Sequence, residues 1–201
     1  MPEAPVLMVG TDEDVVEADL LAGRLVCPSC RGAVGPWGYS RWRMLRRGGK
    51  EERVRPRRAR CRSCARTHVC LADCWLVRRR DDVETIGGAL EAKVAGAGHR
   101  SLARALGCCE STVRRWLRAF RDRAELIRVH FTGWAYALDA DLGPIAAAGD
   151  AMADALEAVG VAARAWAQRY GPVGGWAVAS RLSGGALLCN TSGPLLPVPA
   201  A

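Results

Sequence analysis

The amino-acid sequence predicts an α+β chain: a small four-cysteine zinc ribbon built on a β-hairpin, then a mainly α-helical region with a helix-turn-helix and a C-terminal helical hairpin. Three observations carry that expectation. Two C-x2-C pairs, Cys27/Cys30 and Cys61/Cys64, are separated by 30 residues, and two such pairs supply the four sulfurs of a closed tetrahedral zinc site. Glycine and proline punctuate short extended runs between Val26 and Val77, the pattern of strands joined by turns. Beyond Arg80 apolar residues recur at three- and four-residue intervals, the period of a helix face.

The charge is segregated. The chain has 201 residues, 29 Lys+Arg against 21 Asp+Glu, and a formal net charge of +8. Residues 1–22 carry six acids and no base, an acidic leader; residues 23–80 carry 17 bases against three acids, a net +14. Residues 81–130 hold nine bases and seven acids, and residues 131–201 three and five. A basic block this concentrated is the electrostatic footprint of a polyanion partner. Arg164, Arg169 and Arg181 interrupt the apolar C-terminal third, so no run reaches the ~18 residues of a membrane span. The chain opens acidic rather than basic and then apolar, which argues against secretion and for a cytoplasmic, nucleoid-associated location. There nine cysteines stay reduced, and metal ligation outranks disulfides.

In chain order, the first ten residues read as disordered and Asp12 to Leu21 as a short helix. Within the ribbon, 23–80, the runs Tyr39–Leu45 and Arg53–Ala59 flank Gly48-Gly49 and predict the hairpin. A module this small buries little core, so one structural Zn2+ on Cys27, Cys30, Cys61 and Cys64 is expected to supply most of its folding energy. Zinc knuckles often place glycine directly after the second cysteine; here Arg31 and Ala65 stand there. Cys70 and Cys74, near His68, are read as packing with Val69, Leu71 and Trp75 rather than as a second metal site, and Cys108, Cys109 and Cys189 as small apolar residues.

The helical region begins at 81–130. Asp81 or Asp82 can cap a helix running to about Ala95, which Gly96 and Gly98 end. Leu102, Ala103 and Leu106 form one face of the next helix, Gly107 supplies the turn, and Val113, Trp116 and Leu117 face the same core. This pattern, and the run Ser111 to Leu117 above all, resembles the helix-turn-helix of transposases, resolvases and bacterial regulators. On that reading the second helix enters the major groove of double-stranded DNA. Glu110, Ser111, Arg114 and Arg115 would face the DNA, with Arg118 further along. Arg114 or Arg115 would read guanine, while Ser111 and Thr112 hold phosphate or cap the helix. Arg46, Arg47, Arg55, Arg57 and Arg58 of the ribbon add basic contacts. Cys109 occupies the N-cap position.

Val113, Leu117, Phe120, Ala124, Ile127, Phe131, Trp134 and Leu138 form a heptad-like seam along what reads as one continuing helix. A second stripe, Ile145, Met152, Leu156, Val159, Trp166 and Tyr170, ends at Gly171-Pro172. Residues 131–193 therefore read as a helical hairpin, with a homodimer through the 113–138 seam as the alternative, and residues 194–201 as a tail.

A four-cysteine ribbon followed by a helix-turn-helix resembles the N-terminal DNA-recognition region of bacterial insertion-sequence transposases, and most closely a family of unknown function from high-GC bacteria. The likeness rests on Cys27, Cys30, Cys61, Cys64, the Ala-Arg-Thr-His segment at 65–68, and Ala97-Gly98-His99-Arg100. A transposase nuclease would need separated carboxylates holding two metals. The acids after residue 130 (Asp139, Asp141, Asp150, Asp154 and Glu157) instead cluster on expected helix. The expectation is a DNA-binding protein, not an enzyme, without membrane or small-molecule substrate. The alternatives are a ribbon that docks a protein such as RNA polymerase, or an RNA-binding protein.

Overall fold

The computed structural model describes residues 6–189 and 195. Its N-terminal half is a four-stranded sheet with an attached hairpin, and its C-terminal half is helical. The first element corrects an expectation. Val6–Val9 is a strand, β1, not a disordered lead-in, and it pairs in parallel with the last strand of the sheet, Val6 opposite Val69 and Val9 opposite Ala72. Its apolar run is what a buried strand requires. Helix α1, Glu13–Ala22, follows, with the Asp12 carboxylate accepting from the N–H groups of Asp14 and Val15. Leu7, Val9, Val16 and Leu20 share one core with Cys27, Val34, Ala59, Cys61 and Cys70. The N-terminal segment thus shares the ribbon's core, β1 within its sheet and α1 packed through Val16 and Leu20.

The predicted single hairpin is two ladders. Strands β2 (Val34–Tyr39) and β5 (Arg57–Cys61) pair antiparallel, and β6 (Thr67–Ala72) lies between β5 and β1, giving the order β1-β6-β5-β2. Between them β3 (Arg43–Arg47) and β4 (Lys50–Val54) form a separate two-stranded hairpin. The break has local causes: a register shift lies between Pro36 and Tyr39, and Pro56, which has no N–H to donate, separates β4 from β5. Gly48 and Gly49 close the inner hairpin with φ of 53° and 79°, the twin positive values of a type I′ turn.

Seven helices occur among the described residues. Asp82 caps α2 (Val83–Val94), accepting from the Thr85 N–H. Then come α3 (His99–Ala105), α4 (Glu110–Arg121), α5 (Ala124–Leu138), α6 (Ala151–Tyr170) and α7 (Gly175–Leu182). The expected continuous helix through 113–138 is broken at Asp122 and Arg123. The Arg123 guanidinium leaves the helical line to donate to the carbonyls of Ala186 and Cys189. Val113, Phe120, Ala124, Ile127 and Phe131 are buried in the chain's own core. The seam considered for a homodimer is therefore filled from within. The αα-hairpin forms, α5 against α6. Its seam on the α6 side is mostly alanine (Ala155, Ala158, Ala162 and Ala165 are buried), while Tyr170 of the expected stripe is exposed. Small side chains let the two helix axes approach.

Helix α7 was not foreseen. It inserts Trp176 over α2, where the Trp176 indole N–H donates to Glu91 at 2.9 Å. The expected tail lies outside the described residues apart from Leu195, which is buried. No helix among the described residues is long and apolar enough to cross a membrane.

Gly87 is where α2 receives the Trp176 ring: a Cβ there would sit 2.1 Å from the indole, whereas one on neighbouring Gly88 would meet nothing within 4 Å. Chemical denaturation should therefore show Gly87→Ala losing about 1–3 kcal/mol through overpacking. Gly88→Ala should gain about 0.5–1 kcal/mol from helix propensity.

Candidate metal centre and basic surface

Two similar turns build the cysteine cluster. In the first, Cys27-Pro28-Ser29-Cys30, the Arg31 N–H returns to the Cys27 carbonyl and the Cys27 N–H reaches the Gly32 carbonyl, both at 2.8 Å. In the second, the Cys61 N–H donates to the Arg66 carbonyl at 2.9 Å, and the N–H groups of Ser63 and Cys64 point at Cys61 Sγ at 3.4 Å. The residues after each second cysteine, Arg31 and Ala65, have φ of 61° and 59°. The glycine-like backbone of a knuckle is thus present without glycine, at a cost of order 1 kcal/mol each.

The sheet brings the turns together, with Val34 paired to Cys61 across β2 and β5. All four sulfurs lie within 4.8 Å of one another. Cys27 Sγ is 3.8 Å from Cys64 Sγ, and Cys30 Sγ is 3.4 Å from Cys61 Sγ. Four sulfurs bonded at ~2.3 Å to one tetrahedral ion would stand roughly 3.8 Å apart, so the donor set fits a single metal ion. Cys27 and Cys61 are buried, Cys30 and Cys64 exposed.

The electrostatics agree with that fit. The N–H of Cys64, seconded by that of Ser63 against the effect of burial, holds the Cys61 thiol down to about 6. Cys30 is favoured as thiolate by the Gly32 N–H, but the neighbouring sulfurs of Cys61 and Cys64 push it up to about 12. Four sulfurs this close cannot all ionise unless a cation sits among them. His68, fully buried on β6, places Nε2 3.2 Å from Cys27 Sγ. It stands behind Cys27, in the position from which an outer partner would orient a metal-bound sulfur. Cys70 and Cys74 lie on β6 and just beyond it. Burial pushes both thiols up to about 11, and the described residues contain no other group of three or more metal-ligating side chains.

The ribbon arginines divide by what they touch. Arg46 is tied to Asp81 at 2.7 Å, and Arg57 makes a two-pronged pair with Glu17 at 2.7 and 2.8 Å. Arg58 donates to the Thr67 hydroxyl. These three pin elements together. Arg47 lies over Trp75 at 5.2 Å, and Arg55 is exposed.

On α4, Glu110, Ser111, Arg114, Arg115 and Arg118 are exposed and Thr112 is half-buried, while Val113, Trp116 and Phe120 are buried on the opposite side. Gly107, with φ 59°, makes the turn from α3. His99 and Arg100 approach Glu110 at 3.9 and 3.8 Å, bracing the start of α4. Among the described residues no carboxylate pairs with Arg114, Arg115 or Arg118. Cys109 is not a small packing residue as expected. It is exposed, and the hydroxyl and N–H of Ser111 lower its thiol pKa. The C-terminal acids serve locally: Asp150 caps α6, and Glu157 pairs with Arg164 at 3.0 Å.

Two features of these sites escaped sequence reasoning. His68 reads in sequence beside Cys70 and Cys74 and within the 65–68 segment, but carries no signal of the contact with Cys27. Trp37, Tyr39 and Trp42, exposed with arginines over their rings, had one: aromatic residues interleaved with basic ones.

A family model described as "Domain of unknown function (DUF6431)" matches residues 27–116, from the first cysteine of the cluster to Trp116 of α4. No curated protein and no solved structure matches the chain. The likeness to transposases has no counterpart in these comparisons.

Native mass spectrometry should record one metal ion per chain, retained in Cys70→Ala and Cys74→Ala and lost in Cys61→Ser; two ions in the unaltered chain would contradict the single cluster. Ala65→Gly should stabilise the protein by about 0.5–1 kcal/mol by relieving the left-handed backbone, read as a shift of the denaturation midpoint.

Proposed function

We propose that this chain is a zinc-stabilised, sequence-specific DNA-binding protein. It would act as a transcriptional regulator or as a recognition protein derived from a mobile element, with no catalytic step of its own. The reading places it on the nucleoid in the cytoplasm.

The observation that carries it is the two-sided character of α4. One side is locked into the core through Val113, Trp116 and Phe120, and the other presents Ser111, Arg114, Arg115 and Arg118 to solvent. Helices α3 and α4, joined through Gly107, then act as a helix-turn-helix whose second helix enters the major groove. Arg114 and Arg115 are the candidates for bidentate contacts to guanine, and Arg118 reaches phosphate. The Glu110 carboxylate, held toward His99 and Arg100, sets the start of the recognition helix rather than reading a base.

The all-thiolate donor set and its near-tetrahedral spacing favour zinc over harder ions. Cys27, Cys30, Cys61 and Cys64 would hold it. Zinc there supplies no reaction chemistry; it cross-links two turns and contributes folding free energy.

Selection from a random duplex pool should return a preferred sequence. Arg114→Ala or Arg115→Ala should cut discrimination at one position by about tenfold, within the 1–3 kcal/mol range for a base-reading arginine, while Arg118→Ala should weaken all duplexes alike and reduce the salt slope. A pool that yields no preferred sequence, or binding indifferent to salt, would contradict this reading and favour a ribbon that docks a protein.

A further inference from the structure

The surface with the least structural explanation lies on β2 and the link to β3. Trp37, Tyr39 and Trp42 are 48%, 53% and 51% exposed, and burial of large rings is the ordinary outcome of folding. Each ring carries a guanidinium. Arg60 lies 4.5 Å from the Trp37 centroid and Arg57 4.5 Å from that of Tyr39. Arg53 lies 4.7 Å from Trp42, and Arg55 spans both neighbouring rings, 5.2 Å from Tyr39 and 5.7 Å from Trp42. Tyr39, Arg55 and Trp42 therefore form one continuous stack.

The stack is held in place. Arg55 donates through Nε to the Ser40 carbonyl at 3.2 Å, Arg57 through Nη1 to the Gly38 carbonyl at 2.7 Å, and the Ser40 N–H reaches the Pro56 carbonyl at 2.9 Å. Among the described residues no carboxylate pairs with Arg53, Arg55 or Arg60. The remaining guanidinium N–H groups are thus available to an anion; β2 is the outer strand of its sheet, and about half of each ring's surface stays open to solvent beside its guanidinium.

We infer that this edge is a binding site for a single-stranded polynucleotide, with unpaired bases stacking on Tyr39 and Trp42 and the phosphates meeting Arg53 and Arg55. Flat exposed rings interleaved with unpaired arginines suit a base whose face is free and a backbone whose charge is regular. A duplex hides base faces in its own stack, so this surface asks for a different ligand from the one assigned to α4, and it stands independently of that assignment.

The test is fluorescence anisotropy of the full chain, with its metal, against labelled dT12, U12 and a 12-base-pair duplex. Both single strands should bind with an affinity that falls as salt rises. Tyr39→Ala and Trp42→Ala should each weaken that binding by about 5- to 150-fold, Trp42→Phe should largely restore it, and metal content and circular dichroism should stay unchanged. The stronger of dT12 and U12 identifies DNA or RNA as the source of the strand. The Arg114→Ala, Arg115→Ala double variant should lose duplex binding and keep single-strand binding, so failure of either site is read separately. The inference is overturned if neither single strand binds, or if both ring variants bind as tightly as the parent. It is equally overturned if poly-glutamate competes as well as dT12, which would show a surface that reads charge alone.

Discussion

The N-terminal half depends on one requirement: two turns far apart in sequence must bring four sulfurs to one point. Cys27 and Cys61 meet it from inside the core, packed with β1, α1 and the sheet, while Cys30 and Cys64 close the cluster from the solvent side. Core and cluster are therefore the same object viewed from two sides. A sheet this small has little apolar area with which to offset the entropy of ordering its loops. The spread of the thiol pKa values, Cys61 down to about 6 and Cys30 up to about 12, expresses the same requirement electrostatically: the geometry asks for a cation to balance what it brings together.

The parts of this architecture legible in sequence were those with short-range causes. Paired cysteines at fixed spacing, Gly48-Gly49 between extended runs, Asp82 ahead of a helical pattern and Gly107 between two helices all describe residues whose neighbours decide their conformation. What stayed hidden was long-range. Val6–Val9 is too short to show a period, and its partner lies about sixty residues away on β6. The break at Asp122 and Arg123 interrupts a helical pattern with no glycine or proline to mark it, and the partners Arg123 finds there are the distant carbonyls of Ala186 and Cys189. Helix α7 is fixed by Trp176 finding a gap over Gly87, a fit invisible in either segment alone.

The arginines show the limit of reading charge from a string. Seventeen bases in residues 23–80 mark a basic block, but charge density does not say which guanidiniums are committed. Arg46 and Arg57 are absorbed by Asp81 and Glu17, and Arg58 by Thr67. Among those without carboxylates, Arg53, Arg55 and Arg60 lie over exposed rings, and Arg114, Arg115 and Arg118 line the outer face of α4. On β5, Arg57 meets both Glu17 of α1 and the Tyr39 ring, while Arg60 on the same strand lies over the Trp37 ring without a carboxylate. For a bound polyanion, the distinction decides which charges are free to exchange counterions.

The junction between the halves has a consequence of its own. The inner hairpin is stitched to the start of α2 by the Arg46 N–H to the Arg80 carbonyl, the Asp82 N–H to the Arg46 carbonyl, and the Gly48 N–H to the Asp82 carboxylate. Val83 donates back to Cys74, and Arg181 of α7 pairs with Asp73 at 2.6 Å. There is no free linker here to act as a tether. The distance from the aromatic edge to the outer face of α4 is a property of the folded body, as the jaw spacing is of a fixed caliper. A long ligand touching both would have its register dictated by the protein, with little further ordering required on contact.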